Sequence, residues 1–90
     1  MKREDALLNW LQIQVVADAR PHDQSALDTS SFFRQLLQED YQIRELGYRK
    51  EGNWYVLVGK TESDEWESRY PAEMIESLLI AIESEPKYNQ

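Results

Sequence analysis

Ninety residues with 17 acidic and 10 basic side chains carry a formal net charge of −7, which repels nucleic acid and anionic membrane surfaces at long range. The length fits one domain near the size at which a single core sustains itself, and three Trp, five Tyr and two Phe argue for a packed interior rather than a solvated coil. The absence of cysteine excludes disulfides, thiol catalysis and thiolate metal sites, and fits a reducing, cytoplasmic setting.

The chain opens MKREDALLNWLQIQVV, basic at first like a signal peptide. Asp5, Asn9 and Gln12 then interrupt the apolar stretch, and no small-residue cleavage site follows. No apolar run approaches the ~20 residues of a bilayer span, so no membrane association is expected. From about Glu4 to Ala19 the spacing is helical, with two apolar stripes. Leu7, Leu8, Leu11 and Val15 form one; Ala6, Trp10, Ile13 and Ala17 form the other. A surface helix needs one stripe, so the second either packs against another layer of this chain or meets a partner.

Pro21 is expected to end that helix, and Asp28, Thr29 or Ser30 to cap the next by accepting from unpaired backbone N–H groups. SFFRQLLQED then places Phe32, Phe33, Leu36 and Leu37 on one face of a short helix. From Tyr41 the composition turns to strand, on both sides of Glu51-Gly52-Asn53. A three-residue loop would set Tyr48 opposite Val56 and gather Leu46, Tyr48, Trp54, Val56 and Val58 on one core face; a Glu51-Gly52 turn would set Tyr48 opposite Tyr55. The apolar grouping favours the first register.

TESD supplies a further turn. EWESRYP alternates Trp66, Ser68 and Tyr70 with charges, as an edge strand does to discourage aggregation. Pro71 opens a last helix, and Met74, Ile75, Leu78, Leu79 and Ile82 are its expected buried face, with Ile80 opposite. The predicted architecture is α+β in the order α-α-β-β-β-α: two N-terminal helices, a three-stranded antiparallel meander and a C-terminal helix, with the helices on one face of the sheet. Residues 1–85 are expected to form one domain, with a frayed tail at 86–90.

Catalysis finds little support. His22 is the one histidine, in a turn-rich loop without a readable partner, and Ser30 and Ser31 read as helix-start residues. Gly47, Gly52 and Gly59 are too dispersed for a phosphate loop. Glu62, Asp64, Glu65 and Glu67 cluster, but without the alternation and glycine of a calcium loop. No enzymatic activity, cofactor or metal site is expected.

Charge is uneven along the chain: residues 1–40 sum to −3, residues 41–60 to +2 and residues 61–90 to −6. The basic island offers Arg44, Arg49, Lys50 and Lys60 to phosphates and Trp54 and Tyr55 to bases. The helix, three strands and helix of residues 30–85 resemble the element order of double-stranded-RNA-binding domains, which implies nucleic-acid binding. Those domains carry a basic cluster at the start of the last helix, where this chain has YPAEMIES with Glu73 and Glu76. The expected function is therefore that of a small acidic protein-interaction module, an adaptor, antagonist or regulator, binding a protein or a second copy of itself through Ala6, Trp10, Ile13 and Ala17. The acids of residues 62–76 would direct it toward basic surfaces. Nucleic-acid binding by hairpin 44–60, or mimicry of nucleic acid by the acidic last third, are the alternatives.

Overall fold

The computed structural model describes residues 1–85; the expected tail at 86–90 lies outside the described residues. The elements are α1 (Arg3–Ala19), α2 (Gln24–Tyr41), β1 (Glu45–Glu51), β2 (Trp54–Lys60), β3 (Glu65–Pro71) and α3 (Ala72–Ser84). The strands form an antiparallel sheet in the order β1-β2-β3, so the predicted α-α-β-β-β-α architecture is the one observed. Among the described residues no helix is long and apolar enough to cross a membrane.

Both stripes of α1 are used inside the chain. Leu7, Leu11 and Val15 are buried, and so are Ala6, Trp10 and Ala17. The helix therefore lies between neighbours, flanked by α2 and α3 and packed on the sheet. Trp10 is 1% exposed, with the Arg34 guanidinium 5.2 Å from its ring centroid and the Tyr48 ring edge-on at 6.4 Å. Ala17 packs with Val16 and the small Ala26 of α2, beside Leu79 and Ile82 of α3.

Helix α2 begins earlier than its sequence suggests. Asp23, not Asp28, Thr29 or Ser30, is the N-cap: its carboxylate accepts the Ala26 N–H at 3.1 Å and the Arg20 guanidinium at 3.2 Å. With the cap there, Ser30 falls inside the helix and donates to the side-chain carbonyl of Gln14. The longer helix presents Ala26, Ser30, Phe33 and Leu37 inward, and Phe32, expected in the core, is 60% exposed. In α3, Ile75 is fully buried, whereas Met74 and Leu78 are exposed rather than covered.

The hairpin adopts neither expected register. Gly52 and Asn53 alone form the loop, pairing Glu51 with Trp54 and Tyr48 with Leu57. Gly52 has φ of +59°, the left-handed value that glycine takes without steric cost at the first central position of a type II′ turn, whose twist matches the strands. One step of register exchanges the faces of β2. Tyr55 and Leu57, with Leu46 and Tyr48, now face the helices, and Trp54, Val56 and Val58 join the opposite, open face.

Candidate interaction surface

The open face carries Gly47, Arg49 and Glu51 from β1, Trp54, Val56 and Val58 from β2, and Glu67, Arg69 and Pro71 from β3. Val56 is 0% exposed although, among the described residues, no helix covers that side. Its cross-strand neighbours Arg49 and Arg69 flank it, and long charged side chains cover apolar surface with their stems while their heads stay wet. Arg49 bonds Glu51 and reaches both oxygens of Glu67, at 3.1 and 3.4 Å, and Arg69 reaches Glu51 at 3.2 Å. The result is one alternating network, Glu67–Arg49–Glu51–Arg69, drawn over β2. The Arg49 guanidinium, through its hydrogen bond, holds the Glu51 carboxyl below the usual carboxylate range.

That network changes what the basic island can do. Lys50 is engaged by Glu76 at 3.0 Å and lies 5.5 Å from the Tyr55 ring centroid; Lys60 sits 3.8 Å from Glu45. Arg49, Lys50 and Lys60 thus each have a carboxylate within ion-pair reach, and Tyr55 is 5% exposed in the core. Of the six residues expected to meet nucleic acid, Arg44 and Trp54 remain as exposed groups outside these pairs. A phosphate backbone would have to displace four carboxylates, those of Glu45, Glu51, Glu67 and Glu76, to use the others. The acids of the last third do not form one surface: Glu65 and Glu67 belong to the open face, while α3 packs on the other.

The α1 residues expected to meet a partner are also accounted for. Ala6, Trp10 and Ala17 are 0%, 1% and 2% exposed. The apolar stripe is consumed by α2, α3 and the sheet, and Ile13 alone of the four reaches the surface, beside Ala26, Leu78 and Ile82. His22 is exposed in the turn between α1 and α2, and Ser31 is exposed on α2. Among the described residues no three His, Asp or Glu side chains are grouped so as to hold a metal ion.

Two of the exposed large apolar side chains meet at the hairpin end. Trp54 is 45% exposed and Ile80 58%; with Asn53, Pro71 and Ala72 they line a depression of about 670 Å³, whose acidic members are Glu73 and Glu76. Pro71 pairs with Trp54 across the sheet, and the Ala72 N–H donates to the Asn53 carbonyl at 2.7 Å, which fixes the start of α3 against the hairpin loop. Glu73, Glu76 and Ile80 stand three, four and seven residues apart on one helical face. Sequence reasoning placed Trp54 in the core because it chose the wrong hairpin loop. The available signal was Gly52, whose place at the first position of a two-residue loop specifies the II′ turn.

Glu76 ties this corner together. It accepts from the Tyr55 hydroxyl at 2.5 Å as well as from Lys50. The Tyr55 bond and then Lys50 hold its carboxyl below the ordinary value of 4.5, while burial, with the carboxylate's bond and charge, pushes the Tyr55 phenol up to about 12. Because the folded Glu76 pKa is depressed, its contribution is fully present above about pH 4.5 and is lost as pH falls through the folded value. Because the Tyr55 pKa is raised from 10.0, its contribution holds below pH 10 and is lost as pH rises toward about 12. Glu76→Gln should lower stability by about 1 kcal/mol at pH 7 and by progressively less below pH 4. Urea midpoints of both proteins across pH 2–8 check this, and a constant difference down to pH 2 would contradict it.

Comparison of the chain with protein-family models, with curated proteins and with solved structures finds no match.

Proposed function

We propose that this chain is a small acidic, non-enzymatic protein-interaction module, an adaptor, antagonist or regulator acting in the cytoplasm, whose partner docks at the corner of Trp54, Pro71 and Ile80. The observation that carries the reading is the pairing of two large, solvent-exposed apolar side chains, Trp54 and Ile80, around one depression. Tryptophan contributes much area for little side-chain entropy and dominates many interface energies when water is excluded around it. Glu73 at the rim, with the net charge of −7, selects for a partner surface that combines an apolar anchor with Lys or Arg.

The test immobilises the wild type and the Trp54→Ser/Ile80→Ser double variant and compares the proteins each retains from a lysate of the native cell. A protein held by the wild type is then purified, and its affinity for the two forms is measured. A loss of about tenfold or more, equivalent to about 1.4 kcal/mol, is expected, with an unchanged urea midpoint as the control for folding. Equal affinity for both forms, or no protein retained by the wild type, defeats the reading.

A further inference from the structure

Among the described residues strand β3 is an edge of the sheet, and its outer side has a definite polarity. Glu51 and Trp54 flank a two-residue loop, so they exchange both backbone hydrogen bonds, and alternation across the sheet follows from that pair. Tyr70, Ser68 and Trp66, paired with Tyr55, Leu57 and Gly59, therefore direct their backbone groups toward β2. The Ala72 N–H bond to Asn53 continues the same row. The N–H and C=O groups of Glu65, Glu67 and Arg69 are left pointing away from the sheet, in residues whose side chains are exposed.

We propose that this edge pairs with the same edge of a second copy, antiparallel about a two-fold axis at Ser68, giving a six-stranded sheet. The register places Glu67 opposite Arg69 of the second copy and Arg69 opposite its Glu67, both in hydrogen-bonding positions. On the helix-facing side Trp66 stands opposite Tyr70 twice, and aromatic cross-strand pairs of this kind stabilise antiparallel sheets. Every pair joins residues of one face, so the axis is perpendicular to the sheet and the helices of both copies stay on one side. The interface is isologous, and a closed dimer results rather than a filament.

Charge selects this register over its neighbours. A shift of two residues one way sets Glu67 against Glu67, and the other way Arg69 against Arg69, and like charges directly opposite destabilise a strand pair. The charges that protect the edge against other strands thus permit one partner, itself. The existing ion pairs extend across the seam: Arg69 is already held by Glu51, and Glu67 by Arg49. The dimer would join them into a continuous alternating run, and networks contribute where isolated surface pairs do not. Pro71, without an N–H, terminates the pairing opposite Glu65. The other edge, paired about Tyr48 at the middle of β1, would set Leu46 opposite Lys50, so its outward positions lack the Glu–Arg complementarity that β3 has there. This inference goes beyond the docking corner and does not depend on it.

Light scattering or sedimentation in 0.15 M salt, from about 10 μM to about 1 mM, a range suited to a small interface, reads the outcome. The mass should rise from 10.7 kDa toward twice that value. Glu67→Arg and Arg69→Glu should each remain monomeric, since each sets like charges across the seam. An equimolar mixture of the two variants should dimerise again, because the introduced arginine of one then faces the introduced glutamate of the other and the remaining native pair is also complementary. Trp54→Ser should leave the mass unchanged. On the wild type itself, the amides of Glu65, Glu67 and Arg69 should exchange more slowly as concentration rises, whereas those of Leu46 and Tyr48 should not. A wild type that stays at 10.7 kDa to about 1 mM, single variants that keep the wild-type mass, a mixture that stays monomeric, or concentration-independent exchange overturns the proposal.

Discussion

Trp10→Ala is expected to cost about 3–5 kcal/mol, because it removes the largest fully buried side chain from the junction of α1, α2 and the sheet. Small domains have roughly 5–15 kcal/mol in total, so the variant should stand at the margin of folding. A domain of this length loses about 4–8 °C of melting temperature per kcal/mol, and the drop should therefore exceed about 12 °C. Trp10→Phe should behave differently. Among the described residues the indole N–H of Trp10 has no hydrogen-bond partner, and an unpaired buried donor is itself unfavourable by about 1–3 kcal/mol. Phenylalanine loses ring area but also loses that donor, so its cost should stay within about 1 kcal/mol of the wild type. Thermal melts of the three proteins test the pair of expectations. If Trp10→Ala left the melting temperature unchanged and affected only association, the stripe would belong to a partner after all.

The expectations about α1 show which part of the architecture local pattern can specify. Helical periodicity, the turn residues and the alternation of β3 were sufficient for element order and topology, since each is written within a few consecutive residues. Whether the Ala6–Trp10–Ala17 stripe met α2 or another molecule depended on how close two helices come. That distance is set by Ala26 and Ala17, residues with little hydrophobic signal of their own. The onset of α2 was misplaced for a related reason. Asp23, Asp28, Thr29 and Ser30 are all competent caps, and the choice of Asp23 is reinforced by Arg20 and by the use of Ser30 for a bond to Gln14 on another helix. The open face was hidden by a single step of register. Apolar grouping drew Trp54, Val56 and Val58 inward, but Val56 is covered by arginine stems instead, and no count of apolar residues registers that cover. The docking corner inherits the same error, because Trp54 reaches it only in the register set by the two-residue loop.

Gly59→Ala tests that register directly, with an expected loss of about 1–3 kcal/mol from overpacking. Gly59 pairs with Trp66 on the helix-facing side. A Cβ there would lie 2.5, 2.7 and 2.9 Å from three atoms of the Trp66 ring, which a glycine alone allows to lie flat over the strand. The ring cannot retreat freely, since the Arg3 guanidinium sits 4.9 Å from it on the α1 side. Gly47→Ala should have the opposite sign. Its Cβ would meet Val58 at 3.6 Å, an ordinary contact on the open face. Removing glycine from a strand interior recovers about 0.5–1 kcal/mol of backbone entropy. In a register based on a three-residue loop both glycines would face solvent, and both substitutions would be neutral or stabilising. Urea midpoints of the two variants therefore separate the alternatives. A lower midpoint for Gly59→Ala beside an equal or higher one for Gly47→Ala fits the two-residue loop, and a rise for both would mean that the faces of β2 are exchanged.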